Sequence, residues 1–310
     1  MVSYPLFAPG PVALESVEMS AYLEKKLMKS TQNRREFLQI ASIGAAASLT
    51  GLGCSQASLQ AKDRGSRKPK FHLGMASYTL RKFDLDQTLK MTKRVGLDYI
   101  AFKSFHLALD SSPEQIQDVV AKVQDAGLKL YGGGVIYMNN EAEVRQAFAY
   151  AQAAGMKVII GVPQYDLLPL VNDLVKEYDI QVAIHNHGPG DKVYPLPETA
   201  YEKIKDLDKR IGLCNDIGHT MRSGVDPSES ARKFADRLLD VHIKDVTAAT
   251  AKGSTCEVGR GVIDIPKFVR TLVDIDYAGI VAFEYEKDEN DPMPGLAESV
   301  GYVRGVMASL

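Results

Sequence analysis

The feature that most constrains this chain is an alternation of short apolar runs with amphipathic stretches, which begins at Lys70 and repeats eight times. Helical spacing is clear in Asp84–Val95 and Ser112–Ala126, and Ser112 followed by Pro113 is typical of a helix N-terminus. Eight strand–helix units over about 240 residues match the usual size of a closed (β/α)8 barrel. We therefore predict an α/β fold, a TIM barrel over residues 70–310. The predicted strands are 71–78, 97–104, 128–136, 157–162, 180–187, 211–217, 238–246 and 279–286.

A doubly wound open sheet is the competing arrangement, and it normally has a glycine-rich phosphate-binding turn after its first strand. This chain has Met75-Ala-Ser-Tyr-Thr-Leu80 at that place, which favours the barrel. Gly132-Gly-Gly134 lies within the third predicted strand and lacks the spacing of a dinucleotide-binding turn. We interpret these glycines as a close backbone approach or a bulge.

Residues 1–69 are predicted to be a non-globular extension that contains a signal peptide and a linker. Arg34-Arg35, followed by Glu-Phe-Leu, precedes an uncharged run of small and apolar residues from Ile40 to Gly53. This pattern resembles a twin-arginine export signal and predicts a periplasmic protein. The alternative is a surface helix with two adjacent arginines.

Two features of the extension leave further alternatives open. Met28 lies six residues before Arg34, so translation starts either there or at Met1. Cys54, in Leu52-Gly-Cys-Ser55, partly matches a lipidation site, and it is the only expected link to a membrane. The net charge of -2 gives no reason to expect nucleic acid as a partner.

Polar side chains collect at the ends of the later strands. Of the six histidines, only His72 begins a predicted strand, whereas five lie at or beyond strand C-termini, where barrel enzymes place their chemistry. Because side chains alternate along a strand, the apolar partners assign the polar residues to the lumen. The five histidines are His106, His185, His187, His219 and His242, of which alternation assigns His185, His187 and His242 to the lumen. The other polar residues assigned to the lumen are Asp216, Lys244, Glu284 and Glu286.

Each of these residues also has an ordinary structural explanation. A single histidine in a barrel lumen is more often a hydrogen-bonded core residue than a ligand, and Glu284 could pair with Lys244. Imidazoles and carboxylates converging from four consecutive strands are costly unless a cation or a network satisfies them. Two His, one Asp and one Glu form a nitrogen and oxygen set that suits Mn²⁺, Co²⁺, Zn²⁺ or Fe²⁺. We therefore predict a divalent metal held by His185, Asp216, His242 and Glu284.

At these residues the chain resembles the xylose isomerase-like TIM-barrel superfamily of sugar phosphate isomerases and epimerases, over roughly Lys70 to Leu310. Epimerases of the family have a Glu at the end of strand five, Asp-x-x-His after strand six, His at strand seven and Glu at strand eight. Asp216-Ile-Gly-His219, His242 and Glu284 match the last three elements. Gly259-Arg-Gly-Val-Ile-Asp-Ile-Pro266 resembles the loop that precedes the family's seventh helix.

The fifth strand departs from the family pattern, because His185-Asn186-His187 replaces Glu-Asn-His. The resemblance implies that epimerases use two metal-bound glutamates on opposite faces of the sugar. Here one of them is an imidazole, and strand four ends in Gly161-Val-Pro163 without a carboxylate. Metal polarisation of a carbonyl and a base on one side remain, which suits removal of the neighbouring proton.

We therefore expect a periplasmic, metal-dependent sugar isomerase or epimerase. The alternatives are a 3-keto-glycoside lyase that uses the same site for β-elimination, and an exported carbohydrate-binding barrel without activity. A hydrolase like the family's endonucleases is disfavoured by the net charge and the missing strand-four carboxylate. The expected partner is a small sugar or glycoside, and the oligomeric state is left open. The residues expected to be catalytic are Glu284, His185, His219 and Lys244. Those expected to bind substrate are His187, Asp245, Arg260 and His106.

Overall fold

The computed structural model describes residues 68–310, which contain eight parallel barrel strands. Numbered along the chain, they are β1 (His72–Ala76), β2 (Tyr99–Phe102), β3 (Lys129–Met138), β4 (Val158–Pro163), β5 (Gln181–His185), β6 (Ile211–Asp216), β7 (Leu238–Ile243) and β8 (Ile280–Phe283). Each strand pairs with the next along the chain, and β8 pairs with β1, which closes the barrel. The predicted (β/α)8 barrel is confirmed. The predicted signal peptide, with Arg34, Arg35 and Cys54, lies outside the described residues.

Helices follow the strands and cover the outside of the barrel. They are α1 (Leu85–Arg94), α2 (Pro113–Asp125), α3 (Glu141–Ala153), α4 (Leu168–Tyr178), α5 (Pro197–Ile204), α6 (Ile217–Arg222), α7 (Pro227–Lys233), α8 (Ile265–Asp274) and α9 (Met293–Ala308). The helix start predicted at Ser112 is confirmed by a capping box, in which Ser112 and Gln115 bond each other's backbone N–H groups. No helix among residues 68–310 is long and apolar enough to cross a membrane.

The end of the seventh predicted strand differs from the prediction, which extended it from 238 to 246. The barrel strand β7 ends at Ile243, and Asp245–Val246 instead pairs antiparallel with Thr255–Cys256 in a separate two-stranded ladder. The backbone leaves the barrel because Asp245 turns its carboxylate toward the N–H groups of the following loop, as described below.

The glycines of β3 allow the backbone to pass close to β4. A Cβ atom at Gly132 would lie 2.8 Å from the Val158 carbonyl oxygen, and one at Gly134 would lie 2.2 Å from the Ile160 carbonyl oxygen. The register between β3 and β4 also shifts between Gly134 and Ile136. The predicted close approach and bulge are therefore confirmed, and the irregularity leaves Val135 outside the ladder with β4.

Candidate metal centre at the C-terminal rim

Four neighbouring strands end in the residues predicted to bind metal. His185 and Asp216 are the last residues of β5 and β6, His242 lies one residue before the end of β7, and Glu284 follows β8 directly. Asp216 is in register with His242, and His242 with Ala282. Because parallel strands bring their carboxyl ends to one rim, these four side chains meet there.

The four side chains converge on one point. Their ligand atoms lie within 4.8 Å of one another. His185 Nε2 lies 3.1 Å from His242 Nδ1, 3.5 Å from Asp216 Oδ2 and 3.8 Å from Glu284 Oε2, and His242 Nδ1 lies 3.2 Å from Glu284 Oε2. Ligands placed tetrahedrally at about 2.1 Å from a cation are separated by about 3.4 Å. The spacing therefore fits a single divalent ion.

The protonation states of His185, Asp216 and Glu284 also fit a cation, whereas burial opposes protonation of His242 but the carboxylates around it raise the pKa of its imidazole. Burial lowers the pKa of His185 to about 4, so its imidazole is neutral at pH 7. Burial opposes ionisation of Asp216, but the charges of His219 and Lys244 lower the pKa of its carboxyl below the usual range. Burial likewise opposes ionisation of Glu284, and the charges of Lys244 and His242 lower its pKa. A neutral imidazole and ionised carboxylates are the forms in which these groups bind metal.

A second layer of polar groups lies behind His242. Its Nε2, which makes no hydrogen bond among the described residues, lies 3.7 Å from Asp240 Oδ2. Asp240 is completely buried, and its carboxylate is approached at 3.5 Å by both the Tyr131 hydroxyl and the Cys214 thiol. In metal sites the second nitrogen of a ligating histidine commonly bonds a carboxylate, and Asp240 is placed behind this nitrogen. Asp240 was not predicted, although it lies two residues before His242 and therefore on the same face of the strand.

Lys244 competes for the same carboxylate oxygens. Its ammonium donates a hydrogen bond to Glu284 Oε2 at 2.8 Å and lies 2.9 Å from Asp216 Oδ2, and it also pairs with Glu286. The Glu284–Lys244 ion pair, which was the structural alternative for Glu284, is thus present beside the candidate metal ligands. Burial opposes the charge, but the three carboxylates raise the pKa of Lys244, so the lysine remains a cation.

His219 and His187 extend the site toward solvent. The Asp216 carboxylate accepts a hydrogen bond from the His219 backbone N–H at 2.7 Å, which begins α6 and places the His219 ring above the cluster. The His187 ring lies 4.6 Å from that of His185 between centroids. On its other side it stacks on Tyr137, whose hydroxyl lies 3.0 Å from His187 Nε2.

A cavity of about 260 Å³ opens above the cluster. Three of the predicted histidines and two glutamates line one side of it, whereas the other side contains residues that were not predicted. Lys103 follows the end of β2 directly, and this position was a signal that could have identified it. The lining residues are Tyr78, Lys103, Val135, Tyr137, His185, His187, His219, Glu284 and Glu286.

Three residues predicted to bind substrate lie outside this lining. Asp245 is buried and accepts hydrogen bonds from the N–H groups of Gly259, Gly261 and Ile263, at 2.9, 3.0 and 3.2 Å. It therefore shapes the loop after β7.

Arg260 and His106 also point to other partners. Arg260 is exposed and pairs with Glu298 through two of its nitrogens. His106 is buried behind β2, where its Nε2 lies 3.0 Å from the Thr88 hydroxyl and 3.0 Å from the Phe83 carbonyl.

The closed parallel barrel thus has a buried cluster of His, Asp and Glu, a donor set that suits a divalent metal ion, at its C-terminal rim, where barrel enzymes place their active sites. A family described as xylose isomerase-like TIM barrel matches residues 89–306 of the sequence. The chain belongs to the xylose isomerase-like TIM-barrel family.

Proteins similar to the chain include a dehydratase and an epimerase. An inosose dehydratase of Geobacillus kaustophilus is 27% identical over 129 residues, which cover 34% of this chain and 40% of that protein. The chain thus spans well under two thirds of the length of this relative. Among solved structures, the IOLI protein with a bound zinc atom has a TM-score of 0.65 and 19% identity, over 77% of this chain and 99% of that one. The 3-keto-D-glucoside 4-epimerase YcjR of E. coli has a TM-score of 0.62 and 15% identity, over 76% of this chain and 100% of that one.

Proposed function

We propose that the protein is a divalent-metal-dependent enzyme that removes a proton from the carbon next to the carbonyl group of a sugar or glycoside. The observation that carries this proposal is the cluster of His185, Asp216, His242 and Glu284 below a polar cavity. The zinc bound by the structurally similar IOLI protein is consistent with it. A cation held there would polarise the substrate carbonyl and acidify the neighbouring C–H bond.

Within this proposal Glu284 removes the proton. It is the carboxylate of the cluster that lines the cavity, whereas Asp216 is completely buried. Lys244 keeps Glu284 ionised and therefore able to accept a proton. His187 and His219 lie above the cluster and are positioned to hold the substrate hydroxyls.

Two carboxylates line the cavity, and they come from the same strand end. Glu284 and Glu286 are two residues apart after β8. Epimerisation by two carboxylates needs one on each face of the substrate, but the part of the lining at the ends of β1, β2 and β3 contains Tyr78, Lys103 and Tyr137 and no carboxylate. We therefore favour β-elimination, in which one base removes the proton and the substituent on the next carbon leaves. A 3-keto-glycoside is the substrate class that we propose.

Isomerisation or epimerisation is the second candidate. Tyr137 and His187 form a hydrogen-bonded pair at the mouth of the cavity, and such a pair can return a proton to the second face. The similarity to a 3-keto-D-glucoside 4-epimerase is compatible with either outcome.

The two outcomes can be separated by incubating metal-loaded protein in D2O with methyl 3-keto-β-D-glucoside and, separately, with a ketohexose. We expect deuterium exchange at C2 of the glucoside with release of methanol, and loss of both in Glu284→Gln. Glu202→Gln, on the exposed side of α5, is the matched control and should behave as the wild type. Full activity of metal-free protein would contradict the proposal, and absence of exchange with both sugars would favour a carbohydrate-binding barrel.

We also propose that the protein is exported to the periplasm by the twin-arginine route. Arg34-Arg35 and the uncharged run from Ile40 to Gly53 support this proposal. The variant with both Arg34→Lys and Arg35→Lys should accumulate in the cytoplasm with an uncleaved N-terminus. Periplasmic recovery of this variant would contradict the proposal, and a Cys54→Ala variant that still partitions with membranes would exclude lipidation at Cys54.

A further inference from the structure

Lys103 lines the cavity across from the cluster of candidate metal ligands. It is the first residue after β2, and its backbone N–H donates a hydrogen bond to the Ser77 hydroxyl at 2.8 Å, which ties it to the end of β1. Its side chain is half-buried and lines the cavity together with Glu284. Lys103 is thus a cation at the end of β2, and its backbone is fixed by the Ser77 side chain on the part of the rim that has no carboxylate in the cavity lining.

The Lys103 ammonium has few hydrogen-bonding partners in the protein. It donates one hydrogen bond within residues 68–310, to the carbonyl of Val135 in the irregular part of β3, and lies 5.6 Å from the centre of the Tyr137 ring. Among residues 68–310 the Lys103 ammonium forms no ion pair, and the carboxylate whose charge acts on it from a distance is that of Glu284. An ammonium has three donors, so the remaining two can reach a ligand in the cavity.

Lys244 provides the contrast, because it is surrounded by three carboxylates. The three donors of the Lys244 ammonium therefore face three carboxylates of the protein, whereas the Lys103 ammonium donates one hydrogen bond to the protein. Burial also lowers the pKa of Lys103, and the charge of Glu284 only partly opposes this effect. Of the two lysines, Lys103 is therefore the one with donors free for a substrate oxygen.

We propose that Lys103 is a catalytic acid that protonates the oxygen leaving the substrate in β-elimination. This inference rests on the proposed function. Glu284 takes the proton from the carbon next to the carbonyl, and the electron pair of that C–H bond moves onto the carbonyl oxygen to give an enolate, which either takes up a deuteron again or goes on to eliminate. In elimination the carbonyl re-forms and the electron pair makes the new carbon–carbon double bond. The bond between the next carbon and its oxygen breaks, and the oxygen keeps the electron pair. That oxygen then takes a proton from the Lys103 ammonium, which becomes an amine and is reprotonated by water.

The position of Lys103 suits this role. Glu284 and Lys103 both line the cavity, at the ends of β8 and β2, which are separated by β1 in the closed barrel, so one substrate in the cavity can contact both side chains. The Tyr137 hydroxyl is a weaker candidate, because burial raises its pKa and it is already paired with His187. A purely structural role, in which Lys103 holds the Val135 carbonyl in place, is the alternative that the experiment must exclude.

The experiment compares two leaving groups on one sugar, methyl and 4-nitrophenyl 3-keto-β-D-glucoside, with holoenzyme in D2O. Nitrophenolate leaves without a proton, whereas methoxide needs one. For Lys103→Gln we expect methanol release to slow by about 100-fold, with nitrophenol release and bound metal within about threefold of the wild type. Exchange at C2 should continue, so the ratio of exchange to methanol release rises.

Two further variants serve as controls. Lys103→Arg keeps the positive charge, but a guanidinium is a much weaker acid than an ammonium. We therefore expect this variant to release methanol as slowly as Lys103→Gln. Lys129→Gln is the matched control, because its ammonium also lies over a tyrosine ring, 5.1 Å from the centre of Tyr99, but at the start of β3 on the opposite rim. It should behave as the wild type.

The other possible outcomes contradict either the role of Lys103 or the proposed function. Equal slowing of both leaving groups and of exchange would assign Lys103 a structural role, and full activity of Lys103→Arg would assign it a charge role without proton transfer. Exchange without alcohol release in the wild type would overturn the role of Lys103 and leave proton abstraction standing. Absence of exchange and of release from both glucosides in the wild type would overturn the proposed function together with the role of Lys103.

Discussion

The two halves of the C-terminal rim are built from different kinds of side chain. From β5 to β8 the strand ends hold His185, Asp216, His242 and Glu284, which are at most 6% exposed. From β1 to β4 the cavity is lined by two tyrosines, one lysine and a valine, and Tyr137 is 49% exposed. The first half resembles a preformed cation site, whereas the second is a surface on which a substrate can lie.

This difference determines what a substitution should change. The groups of the first half depend on one another, because each buried charge or imidazole lies within 4 Å of another member of the cluster. Removing one of them leaves its partners unsatisfied in a medium of low dielectric constant. The second half faces solvent, so its substitutions should alter substrate binding or turnover and leave the metal in place.

The largest effect is expected for His242→Ala. This ring contacts both His185 and Glu284, so its removal should lower bound metal and reduce turnover by at least about 1,000-fold. Metal analysis and the glucoside assay provide the measurement. His72→Ala is the matched control, because His72 is exposed at the opposite rim and stacks on Tyr99. Turnover by His242→Ala without bound metal would contradict the assignment of the metal site to the half formed by β5 to β8.

The next effect concerns the pH dependence of stability in metal-free protein. The pKa of His185 is lowered to about 4 in the folded chain, so between pH 6.5 and 4 the unfolded chain binds an additional proton. His185 therefore does not lower the free energy of unfolding above pH 6.5, and it lowers it by up to about 3 kcal/mol as the pH falls to 4. Burial raises the pKa of Asp240 to about 7, which acts in the opposite direction.

A variant isolates the contribution of His185. Because Asp240 is present in both proteins, the change in unfolding free energy from pH 7.5 to 4.5 should be less destabilising by about 3 kcal/mol in His185→Asn than in the wild type. Urea denaturation at the two pH values measures it. Tyr137→Phe, in the other half, should follow the wild type. An identical pH dependence in His185→Asn would mean that the imidazole is not held neutral by burial.

The regular part of the site could be predicted from the sequence, because it follows the alternation of side chains along a strand. His185, Asp216 and His242 lie within β5, β6 and β7, and Glu284 follows β8 in register. Alternation assigned all four to the lumen, and the shared direction of parallel strands brought them to one rim. The barrel itself was predictable for the same reason.

The prediction failed where the chain leaves the regular strand. Asp245 was placed at the end of a strand that stops at Ile243, and its carboxylate instead accepts bonds from N–H groups 14 to 18 residues away. Tyr137 lies beyond the irregularity at Gly134, which shifts the pairing with β4. Contacts between distant loops and an inserted residue are not encoded in local periodicity, so the substrate side of the cavity became visible only in the structure.

A smaller effect should come from the layer behind the metal ligands. Asp240→Asn keeps the shape of the side chain but removes the carboxyl group, whose Oδ2 lies 3.7 Å from His242 Nε2. We expect metal affinity to fall by about 10- to 100-fold, with turnover at saturating metal nearly unchanged. Competition with a chromogenic chelator measures the affinity. Asp86→Asn, an exposed residue of α1 that pairs with Lys122, is the control. Unchanged affinity in Asp240→Asn would show that His242 is oriented by other contacts.

The smallest effect is expected at the mouth of the cavity. Tyr137→Phe removes the hydroxyl that lies 3.0 Å from His187 Nε2 but keeps the ring that stacks on it. Loss of one exposed hydrogen bond is worth about 1 kcal/mol, so KM should rise by about fivefold. Bound metal should not change, because neither Tyr137 nor His187 belongs to the cluster. Tyr302→Phe, on the exposed side of α9, should leave KM unaltered. A Tyr137→Phe variant that loses metal or about 100-fold in kcat would mean that the second half of the rim takes part in the chemistry through this hydroxyl, as expected if Tyr137 returns a proton in epimerisation.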